Sequence, residues 1–176
     1  MAVAAAEAWS QAIVELPSIA FLSMSRKVPI SILPTVQSPV CAVMERMRSE
    51  ISATNNFRHS ESGEPIKGMA IVSGDIMNED GVVDVTEGIP VADEMSSMSA
   101  LAGSSGVGIS RSPKGRHIKE RYIGAYSGLK RVYQHLIDEV APSMGLQYNG
   151  GPVIELYYVV DAPESELVTE VCVPVS

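Results

Sequence analysis

Glu155 stands alone in Pro152-Val153-Ile154-Glu155-Leu156-Tyr157-Tyr158-Val159-Val160, a carboxylate with apolar neighbours on both sides. Taking an unpartnered carboxylate out of water is costly. Glu155 is therefore either paired by the protein or placed to meet a cation. Ionised, it attracts organic cations, and nearby tyrosine faces add cation–π attraction. Held nearer neutrality by burial, it suits general acid or base work on an electrophilic ligand. Side chains alternate along a strand, so Val153, Glu155, Tyr157 and Val159 share one face, and Tyr158 points the other way. The candidate ligand-facing set is Glu155, Tyr157, Tyr126, Tyr133 and Tyr122, with Met69 and Ile71 from the first half of the chain. Tyr133 also fits an apolar helix face, and buried methionine ordinarily fills core gaps.

Other chemistries find less support. His59, His117 and His135 occupy unrelated contexts, and there is no Gly-x-Ser-x-Gly elbow to carry a nucleophile. In the acidic turn Asp75 to Asp80, taking Gly81 as the invariant loop glycine puts Ile76 at the first ligand position, so a calcium loop fails. Gly103-x-x-Gly106-x-Gly108 has the wrong spacing, and the wrong flanking elements, for a dinucleotide fingerprint. Cys41 and Cys172 lack metal-ligand spacing and suit reduced, packed thiols, although a disulfide between them stays open. No metal or cofactor is expected. A net charge of −8 offers no basic stripe for phosphates, so direct nucleic-acid binding is not expected. No apolar run reaches the length of about 18 residues that a spanning helix needs. The expectation is a cytoplasmic protein without a membrane partner.

The elements that must position Glu155 follow from pattern. Residues 1–12 read as a short helical arm carrying Trp9, and Leu16 to Met24 as the first strand. Ser38-Pro39 opens a helix whose apolar face is Val40, Val43, Met44, Met47 and Ile51. Lys67 to Val72 and Gly81 to Val91 form a hairpin across the acidic turn. Residues 93–112, rich in Ser, Gly and Met, read as a mobile loop. Gly115 to Ile123 is a strand. A second helix follows with Leu129, Val132, Tyr133, Leu136, Ile137 and Val140 on one face, ended by Pro142 and Gly145. Strands at Pro152 to Val160 and Leu167 to Val175 complete the chain.

Both halves thus read strand, helix, strand, strand. The offset that aligns Pro90 with Pro174 sets Ile71 against Glu155. All six tyrosines lie in the second half. The expected fold is α+β: two βαββ modules in pseudo-two-fold arrangement, with an antiparallel sheet and helices on one side. Residues 13–176 would form one domain, divided as 13–92, the 93–112 loop and 113–176.

Three motifs in order carry a resemblance. Gly124-Ala125-Tyr126-Ser127-Gly128-Leu129 opens the second helix, Glu155-Leu156-Tyr157 lies in the next strand, and Thr169-Glu170-Val171-Cys172-Val173-Pro174 closes the chain. This pattern resembles the GyrI-like small-molecule-binding domain, also found as the effector-binding domain of AraC- and MerR-type transcription regulators. The resemblance implies a central groove for organic, often cationic or lipophilic, ligands. It makes Glu155 the ligand-facing carboxylate with Tyr157 beside it. It also implies a stand-alone domain, since the residues before the first strand are too few for a helix-turn-helix. Some relatives use the equivalent Glu to hydrolyse electrophilic small molecules, and a protein partner such as gyrase or a regulator is a further implied role. Glu139 stands where many relatives have Trp, and Arg121-Tyr122 where a His is common, so Glu139 and Tyr122 inherit no role.

Overall fold

The computed structural model describes residues 11–29, 45, 48, 49, 58–78, 80–92 and 107–176. Among the described residues eight strands form one antiparallel sheet: β1 Gln11–Leu16, β2 Ala20–Pro29, β3 Gly68–Gly74, β4 Val82–Pro90, β5 Gly108–Arg111, β6 Gly115–Ile123, β7 Val153–Val159 and β8 Val168–Pro174. Their order across the sheet is β1-β6-β8-β7-β3-β4-β2-β5. Helix α1, Leu129–His135, is preceded by a 3-10 turn at Tyr126–Gly128. It runs through a π turn, Leu136–Val140, into a last helical turn α2, Ala141–Ser143. The class is α+β, with this helix on one face of the sheet.

Each element follows from its residues. β8 is buried at every position because it lies inside the sheet between β6 and β7, and Thr169 and Glu170 are buried along with its apolar residues. On the helix, Leu129, Val132, Tyr133, Leu136 and Val140 are buried against the sheet, while Ile137 is only half-buried. Pro142 lies within the last turn, and Gly145, at φ +69°, makes the left-handed stop. The widened turn directly precedes Pro142, whose missing N–H and bulky ring disfavour an ordinary α turn.

Three boundaries differ from expectation. Gln11 and Ala12 are strand, not helical arm; β1 pairs with β6 from Gln11↔Glu120 to Leu16↔Gly115. The expected first strand is two strands, broken after Leu16 where Pro17 cannot donate to a ladder. Within the expected loop 93–112, residues 108–111 form β5 and pair with β2. Residues 93–106 lie outside the described residues, as do Trp9, Cys41 and most of the helix expected from Ser38 to Ile51; its described positions Glu45, Arg48 and Ser49 are helical.

Among the described residues the core has two parts. One lies between the helix and the sheet, built from Ala70, Val72, Val85, Val132, Leu136, Val153, Val171 and their neighbours. The other covers the opposite face, with Phe21, Met69, Ile154, Leu156, Tyr158 and Cys172. No helix among the described residues is long and apolar enough to cross a membrane.

Candidate functional site

β7 lies between β8 and β3, and its alternation sends Glu155 toward the helix. Strand register sets it in one row across the sheet: Met24, Glu87, Ala70, Glu155, Val171, Glu120, Gln11. Glu155 is only 2% exposed. The Tyr133 hydroxyl, from α1, donates to its Oε1, and the Tyr157 hydroxyl, two residues along β7, donates to its Oε2. Among the described residues no Lys or Arg forms an ion pair with it.

Opposing effects act on its proton affinity. Burial pushes the Glu155 carboxyl up most strongly, the two tyrosine hydrogen bonds pull it down, and the nearby charge of Glu87 pushes it up again; the outcome is upward. Tyr133 and Tyr157 are themselves held well above the ordinary phenol, first by burial and then by the facing carboxylate. They therefore act as hydrogen-bond donors throughout the physiological range. Tyr126 meets Tyr157 edge-on, with centroids 5.5 Å apart and planes at 66°. Gly68 lies opposite Tyr157, and a Cβ there would stand 3.2 Å from Tyr157 Cδ2; the missing side chain makes room for the ring.

The other expected residues divide. Tyr122 is half-buried on the helix side, where its hydroxyl donates to the Ala125 carbonyl at 3.1 Å; it braces the start of the helix. Met69 and Ile71 pair with Leu156 and Ile154, which puts both on the face opposite Glu155. They do not adjoin it. Ala70 is the residue beside Glu155, and aligning Ile71 with Glu155 was one residue out, which reverses the face. A bulge between Tyr157 and Val159 is the physical cause, since it makes the two hairpins differ by one residue. Tyr158 faces away, as its position predicted, and donates to Glu170 at 3.0 Å beneath Arg121. His135 is half-buried, within 3.1 Å of Gln11 Nε2 and 3.2 Å of Glu139. Cys172 is a buried free thiol, pushed up by desolvation and by Glu170.

Two carboxylates of the same row escaped the sequence reading. Glu120, fully buried, receives Gln11 Nε2 at 3.4 Å. Glu87 pairs with Arg26 at 3.1 Å. The alternation argument used for Glu155 applies equally to Val83-x-Val85-x-Glu87-x-Ile89 and to Ile118-x-Glu120-x-Tyr122. What alternation cannot show is that these strands carry all three carboxylates into one row.

No curated protein sequence matches the chain. Solved structures do. The EcmrR C-terminal domain is similar at 14% identity and TM-score 0.61, covering 96% of this chain and 98% of that one. A hydrolase from Listeria innocua is similar at 15% identity and TM-score 0.61, covering 94% and 91%. SAV2435, solved bound to tetraphenylphosphonium, is similar at 12% identity and TM-score 0.55, covering 95% and 94%. At these identities the likeness establishes the fold. The family model of the GyrI-like small molecule binding domain matches residues 12–176, nearly the whole chain, and the protein belongs to that family.

Proposed function

We propose that this domain binds an organic cation at Glu155, in a groove formed where two βαββ modules meet. The carrying observation is a buried carboxylate held by two tyrosine hydroxyls with no basic side chain ion-paired to it among the described residues. Two phenol donors keep the carboxylate available as an anion without cancelling its charge. A cation at about 4 Å, with an effective dielectric of about 20, gains about 4 kcal/mol before desolvation is counted. Tyr126 and Tyr157 supply aromatic surface with no directional hydrogen-bond code, which suits flat or lipophilic cations of varied shape. SAV2435 binds such a cation. The modular reading is supported by the sheet order, in which β6-β8-β7 on one side of the centre is answered by β3-β4-β2 on the other. The role that fits is cytoplasmic sensing or sequestration.

The test is calorimetric titration with tetraphenylphosphonium. Glu155→Gln should weaken binding by about tenfold or more, with the fold intact by circular dichroism. Unchanged affinity overturns the proposal.

A second reading, hydrolysis of an electrophilic ligand, is favoured by the upward displacement of Glu155, which suits a general acid or base. A structurally similar protein is a hydrolase. Mass spectrometry of candidate ligands incubated with the protein decides it: turnover that Glu155→Gln abolishes while binding survives supports catalysis, and unaltered ligand refutes it.

A further inference from the structure

The row that holds Glu155 continues through Ala70 to Glu87 on β4. Two strand spacings separate the carboxylate-bearing positions, about 10 Å, and both point to the helix side. Between them stands a single methyl group. Arg26 is ion-paired with Glu87, its Nε 3.1 Å from Oε1, and its Nη2 donates to Oε2 at 3.5 Å. Arg26 stands on β2, beyond β4 from the strand that carries Glu155. Glu155 feels Glu87 as a like charge although Glu87 is ion-paired. The two ends also differ in access. Glu87 and Arg26 keep 26% and 18% of their side-chain surface in solvent, whereas Glu155 is enclosed.

A monocation on Glu155 neutralises one of these carboxylates. A ligand with two cationic groups neutralises both and removes their repulsion, and a carboxylate has about four acceptor positions, enough for Arg26 and a second cation together. Resting on the reading of Glu155 as the cation site, we propose that the preferred ligands are dications. One cationic group meets Glu155, the other meets Glu87, and the apolar linker lies over Ala70. Arg26 is then a built-in competitor that lowers affinity at the outer position and so sets the specificity.

The experiment uses the full chain and two series of probes: bis-trimethylammonium alkanes with linkers from butane to decane, and the monocationic alkyltrimethylammonium of each length. Calorimetry should show an optimum at an intermediate linker and a preference of about tenfold for that dication over its monocation. Glu87→Gln should erase the preference of the dication over its own monocation. Arg26→Gln should increase dication affinity several-fold with little effect on the monocation. A dication-to-monocation ratio that neither variant changes, in proteins whose melting shows them folded, overturns the inference and leaves the pair a structural contact. If Glu155→Gln leaves the binding of both series unaltered, or the unsubstituted protein binds neither, the cation reading itself falls.

Discussion

Replacing Tyr133 by Phe removes one oxygen atom and little else. Tyr133 is 2% exposed, packs with Val132 and Leu136 in the core under α1, and sends its hydroxyl to Glu155 Oε1. Phenylalanine keeps the ring contacts. What it loses is a hydrogen bond to a charged acceptor, worth about 1.5–3 kcal/mol when the acceptor is ionised. For a domain of this size each kcal/mol moves the melting point by about 2–4 °C, so Tyr133→Phe should melt about 3–12 °C lower in mildly alkaline buffer. The pH dependence follows from the sign of the displacement. The Tyr133 bond favours the ionised carboxylate, so losing it pushes Glu155 further up. As pH falls through that raised pKa the carboxyl takes up its proton in the variant, and the difference between the two proteins narrows. The assay is urea unfolding of both proteins at mildly alkaline and mildly acidic pH, with the urea dependence compared to establish that compactness is unchanged. Equal stability in alkaline buffer, or a deficit that does not change with pH, would refute the view that Tyr133 supports an ionised Glu155.

Glu155→Gln should stabilise the protein at neutral pH relative to acidic pH, because a carboxyl raised above its unfolded value lowers native stability as pH rises through the raised pKa; a variant with the same pH–stability slope as the parent contradicts this. Gly88→Ala should cost about 3 kcal/mol or more, since its Cβ would lie 2.0 Å from the Leu22 carbonyl oxygen, while Gly108→Ala, with nothing within 4 Å, should be nearly silent in the same melts. Arg121→Met should cost less than about 1 kcal/mol despite two hydrogen bonds to Glu64 at 3.1 and 3.2 Å, because both side chains are about one-third exposed; a loss of several kcal/mol would show that this contact holds the 58–66 segment in place.

Local pattern alone determined much of this protein. Val153 to Val160 could only be a strand with Glu155 and Tyr157 on one face, because alternation is a property of the backbone itself. The apolar positions from Leu129 to Val140 could only be a helix lying on a sheet. The three motifs placed the chain in its family. Tertiary structure decided what those faces meet. Tyr133 was legible as core, but that its hydroxyl reaches Glu155 depends on how α1 crosses β7, which no local pattern encodes. Met69 and Ile71 went to the wrong side of the sheet in the sequence reading because a one-residue bulge reverses every face beyond it, and a bulge shows only when two strands are paired. Glu87 and Glu120 were visible as carboxylates in apolar strands, yet their alignment with Glu155 is a matter of register between segments distant in sequence. Periodicity is fixed by bonds between neighbours; the charge that one side chain feels is fixed by which strands come to lie together.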